Sequence, residues 1–362
     1  MKKLYGRIKE YIPCSACVML TATLLSLAVY LVSLGSEPFA DFINRTLGHA
    51  LRFILSLLSF IFPFSLFEAL VILALPLCSS LVLFAFRTTP TLKRAVRNIS
   101  VLLSLIGIIF SSYIFTLGIG YHTTSLDTRL GLDADEPSKE ELVSVGTYVV
   151  SEINSLSDSL GLTTESSMGY GTDTLSRKIS DSYSALSEKL GFFNNFSTRI
   201  KPIALSGIMS DAGITGIYSF FTGESNLNTA YPDYSIPFTV AHEFAHQRGF
   251  SRENEANFIA YLVSIGSEDE YIRYSGYLSM YEYLATALYR TDPEAYYTLS
   301  AKLPDSARAD ILAAREVNDR HSGSFLGTLA DKANDNYLKL NGTEGVVSYG
   351  LVVRLAVAYH KK

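Results

Sequence analysis

The chain is short of cysteine, of histidine and of charge, and each shortage removes a class of function. Its 362 residues hold three cysteines, Cys14, Cys17 and Cys78, all in the N-terminal third. Neither a disulfide framework nor a thiol nucleophile is therefore available to the rest of the chain. Cys14 and Cys17 form a C-x-x-C, but inside an apolar run with no second pair, so they read as small apolar fillers. Charged residues make up 18% and the formal net charge is -5, which gives no reason to expect nucleic-acid binding. There are only six histidines, so a histidine metal site has few residues to draw on. What the chain has in excess is apolar residues, 48% of the total with a mean hydropathy of +0.21. That excess is concentrated in the first 120 residues.

MKKLYGRIK carries Lys2, Lys3, Arg7 and Lys9, with no acid before Glu10. The apolar run that follows, 12–34, is long enough to span a membrane. It is longer than a signal-peptide core and more apolar segments come after it, which favours a retained span over a cleaved signal. Further spans are expected over 64–86 and 99–119. Residues 40–62 contain Asp41, Arg45, His49 and Arg52, the pattern of an amphipathic helix lying in the interface. Basic segments stay cytoplasmic, and the two here are the N-terminus and the 87–97 connector. Three spans satisfy both and leave 121–362 as an extracytoplasmic domain of a multi-pass membrane protein. If 40–62 also spanned, the two basic segments would sit on opposite sides. Glu68, near the outer end of its span, reads as a boundary residue.

The chemistry is in residues 240–266, VAHEFAHQRGFSRENEANFIAYLVSIG. His242 and His246 lie at i and i+4, one turn apart on one helix face. Two imidazoles so placed can bind one divalent metal, and Glu243 beside them can take a proton from a water the metal activates. Pro237 suits the start of that helix, Gly249 can end it in the left-handed conformation, and Ser251 can cap a second helix running to about Val263. A catalytic zinc site needs a third protein ligand. The second helix offers Glu253 and Glu255, which point in different directions, so only one of them can ligate.

In the remaining 240 or so residues, Asp133–Glu141 reads as an acidic linker. Helices are expected over 142–160, on a stripe of Leu142, Val145, Val149, Ile153 and Leu156, and over 175–190. IALSGIM and GITGIYSFF read as short strands of a small sheet just before the metal helix. Glu224, Asn226 and Asn228 fall in the loop after it, with Glu224 either supporting the site or solvated. Tyr274 and Tyr277 are candidates to stabilise an oxyanion, and His321 a candidate proton donor, although tyrosines at helical spacing more often pack with a wet tip. NGTEG at 341–345 reads as a turn before a terminal helix that is too broken to span. The fold class is mainly α: N-terminal transmembrane helices, then a mostly helical α+β domain.

Glu253-Asn254-Glu255-Ala256-Asn257 resembles the E-x-x-[A/S/G]-[D/N] segment of gluzincin metallopeptidases. The resemblance implies a zincin-like domain, Zn²⁺ held by His242, His246 and Glu253, and Glu243 as general base. Glu255 stays as the alternative third ligand. Asn257 falls where the family often orients a histidine ligand with an acid. The gap from His246 to Glu253 is shorter than in most gluzincins. The metzincin pattern is excluded, because its third histidine would fall at Arg252. The family also implies an edge strand at 216–221 that pairs with an extended substrate. As a whole, the chain resembles an uncharacterised family of bacterial multi-spanning membrane proteins with a zinc-peptidase-like domain, the likeness running through GITGIYSFFTGESNLN, HEFAHQRGFSRENEANFIAYL and NDNYLKLNGTEGVVSYG. The expected activity is zinc-dependent hydrolysis of peptide or protein substrates beside the membrane lipid. The alternative is a non-catalytic zinc-binding or peptide-sensing membrane protein. Intramembrane cleavage is disfavoured, since the metal helix lies about 120 residues beyond the last span and carries Gln247, Arg248 and Arg252.

Overall fold

The computed structural model describes residues 11–87, 91–341 and 350–362. The basic N-terminus before Tyr11, part of the 87–97 connector and most of the NGTEG turn lie outside the described residues. The chain is mainly helical, with one small three-stranded sheet.

The first third is built on long apolar helices. α1 (Cys14–Leu34) contains no charged residue, and α5 (Leu92–Thr116) starts on a Thr91 cap and carries its basic residues in its first turns. Both are long and apolar enough to cross a membrane. They pack side by side, with Gly107 of α5 so close to Thr23 of α1 that a Cβ would collide with its hydroxyl. Between them come α2 (Glu37–Ile43), a π-helical turn (Asn44–Gly48), α3 (His49–Phe60) and the apolar α4 (Leu66–Arg87).

The 40–62 segment is amphipathic, as its charges predict, but with its polar face turned inward. Arg52, Ser56 and Ser59 are buried, while Phe53, Ile54, Leu57 and Leu58 are exposed. Arg52 donates to the Thr116 and Asn44 carbonyls, and Ser56 meets Thr198. The helix therefore lies across the end of α5 and beneath the following domain.

In that domain, α6 (Leu126–Leu130) leads to α7 (Lys139–Leu160), whose Ser138 and Glu141 form a reciprocal capping box. The stripe Leu142, Val145, Val149, Ile153 and Leu156 is buried as its spacing predicts. α8 (Thr172–Leu190) follows. The sheet consists of β1 (Ile200–Pro202), β2 (Gly216–Ser219) and β3 (Glu224–Leu227) in the order β1–β3–β2, with β1 parallel and β2 antiparallel to β3. IALSGIM is not a strand: Ser206–Asp211 is a short helix, α9, with Leu205 and Ile208 exposed. The central strand is instead Glu224–Leu227, a segment whose polar sequence reads as a loop.

α10 (Ser235–Gln247) and α11 (Glu253–Ile265) form the expected hairpin, and α12 (Glu270–Thr291) packs along it and along α7. Next come α13 (Pro293–Ser300), α14 (Asp305–His321), α15 (Phe325–Leu340) and α16 (Leu351–His360). Val352, Leu355 and Ala356 place α16 in the main core, so it is an interior helix.

Candidate metal centre

α10 delivers His242 and His246 to one face. Pro237 sits in its first turn, and the Ser275 hydroxyl accepts from the Phe238 N–H that the first turn leaves free. Gly249 ends the helix at φ +97, and Phe250 N–H folds back to the Ala245 carbonyl. That tight return places the Phe250 carbonyl 2.8 Å from His246 Nδ1. A donated Nδ1–H there fixes the tautomer and leaves the Nε2 lone pair facing the site. The same return brings the start of α11 beside both rings, which is how so short a gap still delivers a carboxylate.

His242 Nε2 lies 3.0 Å from His246 Nε2, and the Glu253 oxygens lie 3.3 Å from the first and 3.6 Å from the second. Two donors on a tetrahedral zinc at 2.0–2.1 Å stand about 3.3 Å apart, so this triangle has the size zinc requires. Two imidazole nitrogens and one carboxylate also suit its ligand preference. Among the described residues these three form the group of His, Cys, Asp and Glu side chains close enough to hold an ion.

The three donors charge one another. Burial works against protonated His246, but the Glu253 carboxylate outweighs it and lifts its pKa to about 9. Burial likewise works against ionised Glu253, yet His246 and His242 draw its pKa well below the usual carboxylate range.

Glu243 is buried and its pKa is raised by desolvation, with the two histidines opposing. The Tyr218 N–H of β2 donates to it, while Oε2 has no partner among the described residues. A buried carboxylate oxygen without a partner costs stability, so such a group calls for an explanation in function. Gly216 of β2 lies against the same carboxylate: a Cβ there would stand 2.6 Å from Oε1.

Glu255, the alternative ligand, is turned away. Its Oε1 accepts from Arg252 at 2.8 Å and from the Leu126 N–H at 3.0 Å, capping α6. Ser251 is not the cap of α11. Arg252 holds that position, and the Ser251 hydroxyl donates to the Leu117 carbonyl at the end of the apolar bundle. Asn257 reaches the site wall with its Nδ2 unpartnered, but His246 is oriented by the Phe250 carbonyl and not by Asn257.

The site opens on a cleft of about 1180 Å³. Its walls include β2, α10, Asn257 of α11 and Glu282 of α12. Tyr30 of α1 and Phe110 and Tyr113 of α5 line it as well. Tyr274 and Tyr277 do not line it: the first donates to Asp310 and the second meets Tyr148. His321 pairs with Asp211 at 2.6 Å, joining α14 to α9 outside the cleft. Glu224 is neither solvated nor beside the donor triangle. It accepts from the Leu66 and Phe67 N–H groups and pairs with buried Lys201, so it caps α4 from the sheet. Asn226 accepts from Ser65, and Asn228 donates to Ser210 and the Ile214 carbonyl. Glu282 carried no signal in the tyrosine-rich run around it. Burial pushes its carboxyl up to about 7, with the Tyr234 hydroxyl opposing.

No curated protein and no solved structure matches the chain. One family model does match, over residues 42–357, from the end of α2 through most of α16, and its description is a protein of unknown function, DUF3810. A match over that much of the sequence makes the chain a member of the DUF3810 family.

Proposed function

We propose that the chain is a membrane-anchored zinc metallopeptidase of gluzincin type. One observation carries the reading: the donor triangle of His242, His246 and Glu253 stands beside a buried, half-partnered Glu243 at the edge of β2. Bound zinc would supply Lewis acidity toward a carbonyl oxygen and would lower the pKa of water toward about 7. The protein's own residues do the rest. Glu243 takes a proton from the attacking water and returns it to the leaving amine, work suited to a carboxyl whose pKa is raised by burial. The Phe250 carbonyl holds His246 in its ligating tautomer. β2 pairs with β3 on one side only; its other edge meets Glu243 through the Tyr218 N–H and keeps Gly216 on the cleft wall, where an extended peptide can pair.

The anchor is the apolar bundle. The C-terminal ends of α1 and α5 and the N-terminal end of α4 all contact the domain, through Tyr30–His122, Ser112–Phe220 and Glu68–Leu205. Three spans with the domain on one side account for that arrangement. Segment 37–60 is tied to the domain along its length, by Asp41 to Thr124, Asn44 to Gly249 and Ser56 to Thr198, as an interfacial helix would be.

Glu243→Gln tests the activity. The variant should keep zinc and lose peptide hydrolysis; retained hydrolysis would refute the assignment. A sensory reading has one observation in its favour: the metal turn is wired to the bundle through Asn44→Gly249 O and Ser251→Leu117 O. Full cellular function of Glu243→Gln would favour it.

A further inference from the structure

The site lies against the apolar bundle, and its geometry limits which peptides reach it. We propose, resting on the peptidase reading, that the substrate is the membrane-proximal stem of an anchored protein, drawn extended along β2 and cut within a few residues of the bilayer.

Arg97 is the last charge of α5 before its apolar run. About twenty residues beyond it, the length that crosses a hydrocarbon core of about 30 Å, ends near Leu117. Phe110 and Tyr113 then lie about 10 Å and 6 Å below that boundary. Both line the same cleft as His242 and Glu243. The cleft wall therefore runs from the metal centre down to the outer layer of the bilayer. Tyrosines with an apolar body and a polar tip (Tyr30 and Tyr113 on this wall) suit that level.

β2 supplies the track. The Phe220 carbonyl, just past its end, accepts from Ser112 and Thr116 of α5. The Phe220 ring meets Tyr113 at 5.6 Å and the Phe221 ring meets Phe67 of α4 at 5.8 Å, so the β2–β3 turn is seated on the outer turns of both helices. The other end of the strand, Gly216, touches Glu243. Four residue steps at about 3.3 Å separate the two ends, roughly 13 Å. A peptide leaving the bilayer beside α5, running extended along the cleft wall and pairing with β2 at Gly216, thus presents a bond to Glu243 within about four residues of the membrane boundary. Pairing with an edge strand recognises backbone, which selects a peptide over a lipid chain.

The test uses the full chain, zinc-loaded, in phosphatidylcholine–phosphatidylglycerol vesicles. The probe is a randomised fluorogenic stem fused directly to a leucine–alanine transmembrane helix; the comparison is the same stem without its anchor. We expect the anchored stem to be cut at least about tenfold faster, since anchoring raises its local concentration at the cleft. The cuts should cluster about three to six residues from the helix end, one strand length. Equal rates for the two stems, or cuts scattered along the anchored one, overturn the inference and leave the peptidase reading standing. Hydrolysis of the vesicle phospholipid in place of the stem also overturns it. No cleavage of either stem overturns the peptidase reading and the inference with it.

Discussion

Two glutamates, two residues apart, have opposite assignments, and one experiment separates them. Glu253 stands 3.3 and 3.6 Å from the two imidazoles, whereas Glu255 is committed to Arg252 and the Leu126 N–H. Zinc buffered at 100 times its dissociation constant stabilises the fold by about 2.7 kcal/mol. At roughly 2–4 °C per kcal/mol for a domain of this size, that raises Tm by about 5–11 °C. Removing even an outer-shell partner of a metal site weakens binding about 10–100-fold, so losing the carboxylate ligand itself costs at least about 100-fold. Glu253→Gln at the same free zinc is then half occupied at best, and its stabilisation falls to about 0.4 kcal/mol, a shift of about 1 °C. Glu255→Gln should show the reverse. Its metal-free Tm drops, because a buried acceptor of two hydrogen bonds is weakened at a cost of about 1–2 kcal/mol, but its zinc shift is full. Thermal unfolding of the detergent-solubilised chain in metal buffers, with metal content measured alongside, reads both. A full shift in Glu253→Gln, or its loss in Glu255→Gln, would refute the ligand assignment.

Gly216→Ala puts a Cβ 2.6 Å from Glu243 Oε1 and 2.9 Å from Thr239 Cγ2. Zinc content should be unchanged and peptide turnover should fall about 100-fold, the usual result of misplacing a reacting group by an ångström; wild-type turnover would sink the role of the Gly216 contact. Zinc affinity should depend on pH, because binding displaces the proton that Glu253 holds on His246 up to about 9. The folded pKa lies above the ordinary histidine value, so in the metal-free protein the His246 contribution is complete below about pH 6.5 and is lost as pH rises through about 9. Zinc affinity accordingly climbs about tenfold per pH unit toward pH 9 and then levels, and a flat titration from pH 7 to 9 would contradict it. Glu224→Ala strands Lys201 in a buried site and should cost about 3–5 kcal/mol. The double variant Glu224→Leu with Lys201→Met should recover only the part of that loss due to the stranded charge, because the Leu66 and Phe67 N–H groups and the Ser59 and Phe64 carbonyls stay unpaired; no recovery at all in chemical denaturation would refute the pairing argument.

The parts of this fold legible in the sequence are those whose signals are local. The i, i+4 spacing of His242 and His246, the glycine stop at 249 and the apolar stripe of α7 all report backbone periodicity, and the structure reproduces each. The boundaries of α1 and α4 fall within about two residues of the apolar runs, whereas α5 begins at Leu92, inside the basic connector, and ends at Thr116, short of 119. What was not legible depends on partners far away in the chain. β3 has four buried residues of which three are polar, because Glu224 caps α4, Ser225 donates to the Glu243 carbonyl and Asn226 accepts from Ser65. No window of sequence contains those partners, so the segment reads as a loop. Ser251 has the chemistry of a cap, but the Leu117 carbonyl, just before the 3₁₀ turn at Gly118–His122, claims its hydroxyl first. The choice between Glu253 and Glu255 turned on the Phe250 fold-back, which sets the phase of α11 against α10. The tyrosines of α12 follow the commoner rule and pack with their hydroxyls satisfied.

The long sequence interval between the last apolar helix and the metal helix suggests two separable parts, and the contacts argue that they are one. α4 takes its N-terminal hydrogen bonds from Glu224, a residue of the sheet, and Glu68 in turn accepts from the Ala204 and Leu205 N–H groups. Lys201 donates to the Ser59 and Phe64 carbonyls, Gln247 to Ser56, and Ser251 to Leu117. Cutting at residue 120 removes all of these at once. Each net hydrogen bond is worth about 1 kcal/mol, and the buried ends left unpaired cost more, so the sum rivals the whole stability of a domain, about 5–15 kcal/mol. Fragment 121–362 should therefore fail to form the native domain: amide protection around β3 and the 247–251 turn should be absent, and zinc binding with it, while the full chain in detergent shows both. A fragment that folds and binds zinc with full-chain affinity would show that the bundle only anchors the site and does not help to build it.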